Sequence, residues 1–88
     1  MDDKKAASLI IRKQEIASRV RQVRRMKDLT QDQAAEMLGC SRRRYNLIEK
    51  GKLELSASEL DFMARELKVP IIFFFDGEEE RLFGNSVA

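Results

Sequence analysis

The chain has 88 residues, 43% hydrophobic and 36% charged, with a formal net charge of +2, no histidine and a single cysteine, Cys40. A chain this short buries only about 60% of its unfolded surface, so one small domain spanning 1–88 is expected, and its ordinary apolar content places it among sequences that fold. The lack of histidine and of a second cysteine excludes disulfide frameworks, tetrahedral zinc sites and Ser/His or Cys/His catalysis together, and no cofactor is expected.

Charge is unevenly spread. Residues 1–27 hold nine Lys/Arg against three Asp/Glu, residues 28–55 hold five of each, and residues 56–88 hold three against seven. A basic front and an acidic back suit approach to a polyanion from one side. The opening MDDKKAASLIIRKQ carries a six-residue apolar stretch between charges, short of a signal-peptide core and of a membrane span. A reducing, cytoplasmic setting is expected, at the nucleoid if the partner is DNA, with no membrane association.

From about Lys5 to Lys27, Leu9, Ile16, Val20 and Val23 recur at helical spacing, which predicts a first amphipathic helix with a core-facing stripe. Thr30-Gln31-Asp32-Gln33 has the form of a capping box, opening a second helix that ends at Leu38, with Gly39 as its left-handed stop. Ser41 is the next N-cap, and a third helix runs from it to about Lys50, where Gly51 ends it. Ser56-Ala57-Ser58-Glu59 is another capping box, followed by Leu60, Met63, Ala64 and Leu67 on one face of a fourth helix. Pro70 stops that helix and can open a fifth, short one through IIFFF.

Two short helices joined by a glycine-containing three-residue turn form a helix-turn-helix, whose second helix enters the DNA major groove. At about 100° per residue, Tyr45 and Ile48 fall on one side of the third helix, and Arg42, Arg43, Asn46, Leu47 and Lys50 on the other. Arginine can grip guanine O6 and N7, asparagine can pair with adenine, and leucine can meet a thymine methyl, so the second set suits base reading. Arg44 sits on the flank, within reach of a phosphate, and the amides at the start of the second helix, beside Gln31, form an anion site. Lys50, Lys52 and the basic residues of the first helix are expected to add further phosphate contacts. Taken alone, the three arginines read more readily as a solvated face; their register within a capped, glycine-turned helix pair favours DNA.

These residues carry a resemblance. I-A-S-R-V-R-Q-V-R-R, then L-T-Q-D-Q-A-A-E-M-L-G-C-S-R-R-R-Y-N-L-I-E-K-G, then a leucine-patterned helix, resembles the lambda-repressor/Cro-like (XRE-type) helix-turn-helix family over residues 16–75. The resemblance implies an all-α, five-helix bundle that binds operator DNA as a dimer, with an N-terminal helical extension at 1–15 and a tail at 76–88. It implies that Gln31 clamps a phosphate and that Ala35 is the small residue where two helices cross. It implies base contacts from Arg42, Arg43, Asn46 and Leu47, and a structural ion pair between Arg24 and Glu49. Three positions depart from the pattern. Asp28 replaces a glycine but tolerates the left-handed conformation. Tyr45 replaces an aliphatic residue and leaves a hydroxyl needing a partner or water, and Leu55 replaces a proline.

Cys40 occupies a turn position usually given to a small apolar residue, which favours a structural role over redox sensing. In IIFFF, Ile71, Phe74 and Phe75 are expected to pack inward, leaving Ile72 and Phe73 uncovered. Such a patch points to a homodimer interface, or to a tail whose Leu82 and Phe83 fold back over it. The reading is a sequence-specific transcriptional regulator, a repressor, binding double-stranded DNA at a pseudo-palindromic operator, with no metal site. Its rival is an antitoxin-type module whose IIFFF and acidic tail mask a toxin partner. An enzyme is the weaker alternative, because Glu78-Glu79-Glu80 has the look of a solvated tail.

Overall fold

The computed structural model describes residues 3–76. Four α-helices follow one another: α1 (Asp3–Met26), α2 (Gln31–Leu38), α3 (Arg42–Glu49) and α4 (Ala57–Leu67), and then a 3-10 turn at Ile71–Phe74. Each boundary has a local chemical cause. Thr30 caps α2 by accepting from the Gln33 amide at 3.1 Å, while Gln33 Oε1 accepts from the Thr30 amide at 2.8 Å. Ser56 and Glu59 repeat the exchange at the start of α4, at 3.1 and 2.9 Å. Both reciprocal boxes satisfy amides that a bare helix end leaves open.

Gly39 closes α2 at φ 70° and ψ 29°, and the Cys40 amide reaches back to the Ala35 carbonyl at 3.0 Å. A Cβ on Gly39 would meet nothing within 4 Å, so the requirement for glycine is one of backbone conformation, not space. Asp28 adopts positive φ as expected, and so does Lys68, which ends α4 without a glycine.

The core is one cluster. α1 supplies Val20 and Val23, α2 Ala34 and Ala35, α3 Tyr45 and Ile48, α4 Leu60, Met63 and Ala64, and the 3-10 turn Phe73 and Phe74. Small alanines on α2 let α3 approach closely, and the bulk of Tyr45 and Phe74, both fully buried, fills the space between layers.

The expected fifth α-helix is a 3-10 turn instead, and the difference changes which side chains face inward. A 3-10 turn has three residues per revolution, so the angular positions worked out for an α-helix do not hold. Phe73, expected without cover, is buried at 4% exposure, whereas Ile71 and Phe75, expected inside, are 39% and 40% exposed. Phe73 is therefore not available to a dimer surface; Ile72, at 47% exposure, is open as expected. The tail proposed as an alternative cover lies, from Gly77 on, outside the described residues. Leu9 departs as well: it continues the stripe of Val20 and Val23 but is 55% exposed, because α1 runs past the end of its own core.

Candidate nucleic-acid interface

The buried side of α3 holds it in place. Tyr45 and Ile48 insert into the core, Ser41 caps the first turn by accepting from the Arg44 amide at 3.0 Å, and the three-residue turn from α2 fixes the crossing. What remains outward is set by helix periodicity. Arg42, Arg43 and Lys50 are exposed, Asn46 and Leu47 are half-buried, and Lys52 stands exposed just beyond the helix.

Beneath this face lies a hydrogen-bonded chain of side chains from three helices. Arg24 of α1 grips Glu49 of α3 with two parallel bonds, Nε to Oε2 at 2.6 Å and Nη2 to Oε1 at 3.1 Å, and a third bond joins its Nη1 to the Leu29 carbonyl at 2.8 Å. Gln31 of α2 donates from Nε2 to Glu49 Oε1 at 3.2 Å and accepts from Asn46 Nδ2 at 3.3 Å. The side chains of Arg24 and Glu49 are only 11% and 4% exposed. Burial would push the Glu49 carboxyl up, but the bonds from Arg24 and Gln31 and the charge of Arg24 outweigh it and hold it below the usual carboxylate range. The Arg24 guanidinium is raised in turn, chiefly by its bond to Glu49. A two-pronged guanidinium-carboxylate pair of this kind fixes orientation as well as charge.

The Tyr45 hydroxyl faces this pair, yet it meets no hydrogen-bond geometry with any described group and is buried. Burial, with the Glu49 carboxylate next to it, drives the phenol well above its ordinary value, so it stays neutral.

The three consecutive arginines separate. Arg44 turns away from the outward face and pairs with Glu59 of α4, Nη1 to Oε2 at 3.1 Å and Nη2 to Oε1 at 3.4 Å. That contact is the main cause holding the Glu59 carboxyl below its ordinary range. Arg42 lies 3.7 Å from Asp32 with both side chains about two-thirds exposed, a pairing that solvent weakens. Arg43 has no carboxylate partner among the described residues. The structure thus brings Arg42, Arg43, Asn46, Leu47 and Lys50 to one face, with Gln31 anchored behind them, and withdraws Arg44.

Two of the basic residues of the first helix, which the sequence named only as a group, join this face. Arg21 and Arg25 of α1 line a groove with Arg24, Gln31, Asn46, Glu49 and Lys50. They are one turn apart on α1, and that i, i+4 spacing beside Arg24 was the available signal. With Glu49 neutralised by Arg24, the rim of the groove is cationic.

Comparison with known proteins agrees with this architecture. The profile of the helix-turn-helix family HTH_3 matches residues 20–74, most of the chain, and the protein belongs to that family. The crystal structure of an HTH_3 family transcriptional regulator from Vibrio cholerae superposes with a TM-score of 0.67 at 24% identity, covering 86% of this chain and 42% of that one. This likeness is one of fold, and the chain spans less than half the length of that protein. No protein of curated function matches. Among the described residues no helix is long and apolar enough to cross a membrane.

Proposed function

We propose that this protein is a sequence-specific DNA-binding transcriptional regulator, a cytoplasmic repressor that places α3 in the major groove of a pseudo-palindromic operator as a homodimer. The observation that carries this reading is the exposed Arg42-Arg43 pair at the start of a short helix whose opposite face, Tyr45 and Ile48, is locked in the core. Such a helix presents its N-terminal side chains to base edges without rearrangement.

Arg42 and Arg43 read bases, with Asn46 and Leu47 at the edge of the contact. Lys50, Lys52, Arg21 and Arg25 meet phosphates on the flanks, and Gln31 holds Asn46 in place while its own helix start faces the backbone. Arg44 is assigned to the fold rather than to DNA. The regulator described for the Vibrio cholerae structure supports the class only through its shared fold.

Selection of bound sequences from a random DNA pool, repeated at two salt concentrations, tests the reading. Enrichment of one motif with inverted symmetry, and a binding constant that falls with salt in proportion to several neutralised phosphates, is expected. A pool that shows no enriched motif would sink it.

A further inference from the structure

The hydrogen bonds that run from Arg24 to Asn46 have a direction. A guanidinium offers only donors, and the two-pronged grip of Arg24 keeps Glu49 ionised, so that Glu49 can only accept. Gln31 must therefore turn its amide nitrogen toward Glu49 Oε1, at 3.2 Å. That leaves Gln31 Oε1 on the other side, where it can only accept, and Asn46 must meet it with Nδ2, at 3.3 Å. Two amides that could each sit either way round are fixed in turn.

We propose that Gln31 is a positioning residue that sets which base Asn46 reads, and that this base is adenine. The proposal deepens the regulator reading given above and rests on it. It gives Gln31 a different part from the phosphate contact that family resemblance implies.

The groups left to Asn46 select the base. With one Nδ2 hydrogen held by Gln31, Asn46 keeps one N–H and its Oδ1. Adenine presents one acceptor, N7, beside one donor, its N6 amino group, and matches that pair. Guanine presents two acceptors, O6 and N7, so one of them would face Oδ1 with no hydrogen between them. An unheld asparagine can reverse its amide and bring both Nδ2 hydrogens to guanine; the held one cannot. Cytosine and thymine each offer a single hydrogen-bonding group in the major groove, and so a single bond.

Asn46 is placed to use this edge. On the outward arc of α3 it falls between Arg42 and Arg43, and it lines the cationic groove with Arg21, Arg25 and Lys50. It is half-buried where the two arginines are exposed. A side chain already held by its neighbour loses little freedom on meeting a base.

Selection of bound sequences from a random DNA pool tests the assignment, with wild type, Asn46→Ala, Gln31→Met and Gln31→Glu run side by side and circular dichroism confirming that each is folded. Methionine keeps the length of Gln31 but offers Asn46 no acceptor. Glutamate still accepts from Asn46 Nδ2, although it adds negative charge beside Glu49 and near DNA. In wild type one position of the half-site should be adenine, preferred over guanine roughly five- to a hundredfold. Asn46→Ala should abolish that preference. Gln31→Met should admit guanine at the same position and leave the rest of the motif unchanged, whereas Gln31→Glu should keep adenine while binding every sequence more weakly.

A wild-type motif with no adenine position that depends on Asn46 overturns the proposal. If Gln31→Met selects the wild-type motif and loses affinity on all sequences alike, Gln31 is a phosphate contact and the proposal is overturned. Loss of the adenine preference in Gln31→Glu as complete as in Gln31→Met overturns it too, because the acceptor is then not what holds Asn46. The two readings fail separately: each of these results leaves an enriched motif and the regulator reading intact, whereas a wild-type chain that enriches no motif defeats that reading itself.

Discussion

Arg43 and Arg44 are neighbours of the same type on the same helix, and the fold treats them in opposite ways. Arg44 is turned through one residue's rotation toward α4, where Glu59 receives it; Arg43 meets no carboxylate among the described residues and its side chain is exposed. Arg24 completes the series as the most enclosed of the three, held by Glu49 at 11% side-chain exposure. The difference teaches that a basic cluster is divided between fold and function by where the carboxylates of neighbouring helices fall. The arginine left without one is the one free to meet a nucleic acid.

The largest effect expected from disturbing this division is at Glu49. Glu49→Gln leaves the Arg24 guanidinium enclosed without its counter-charge, and breaking an enclosed pair in this way costs about 3 kcal/mol or more. Urea unfolding followed by circular dichroism measures it. The cost has a definite pH dependence. The folded Glu49 carboxyl titrates below its unfolded value of 4.5, so its contribution is fully present above that value and is lost as pH falls through the lower folded one. The stability gap between wild type and Glu49→Gln should therefore close in acid; a gap that is constant from neutral pH to pH 3 would contradict it.

Arg43 lies on the other side of the comparison. Arg43→Ala should leave the unfolding midpoint unchanged and cost about 1–3 kcal/mol of binding to the selected operator, with preference relaxed at one base position. Equal losses on operator and on random DNA would return Arg43 to the phosphate backbone.

Sequence alone showed the helix boundaries because their causes are local. A threonine or serine three residues before a glutamine or glutamate is a cap whatever lies around it, and Gly39 takes positive φ because only glycine does so freely. The buried sides of α3 and α4 were legible for the same reason, as periodicity is a property of the segment, whereas Ala35 of α2 came from family resemblance. What escaped depended on packing between segments. Nothing in the order of residues says that Glu59, already engaged with its own cap, also reaches Arg44, or that Gln31 joins Glu49 to Asn46. The error at IIFFF has a different origin. The run folds as a 3-10 turn, so α-helical angles misassigned Phe73 as open and Ile71 and Phe75 as covered. The Arg24–Glu49 contact came from family resemblance, because twenty-five residues separate the partners.

Lys52 sharpens the contrast between reading bases and holding phosphate. It stands exposed past the end of α3, outside the helix that meets base edges. Lys52→Ala should weaken all DNA sequences alike and lower the salt slope by about one. One phosphate fewer corresponds to a roughly threefold smaller change in affinity between 50 and 200 mM salt. A change in the selected motif would instead give Lys52 a part in recognition.

The smallest effect is the most informative about Arg44. In Glu59→Gln the side chain can still accept from the Ser56 amide, so the start of α4 keeps its cap, but the charge that draws Arg44 away is gone. The pair is solvent-accessible, so stability should fall much less than in Glu49→Gln. Once released, the guanidinium can swing back over the first turn of α3, where the backbone of bound DNA would lie. The expected result is a modest rise in affinity for operator and random DNA alike, with a steeper salt dependence, measured by fluorescence anisotropy at several salt concentrations. If affinity and slope are unchanged, Arg44 lies too far from the duplex to matter, and its pairing with Glu59 serves only to dock α3 on α4. If both fall, Arg44 contacts DNA while still bound to Glu59, and the division of labour between it and Arg43 is wrong.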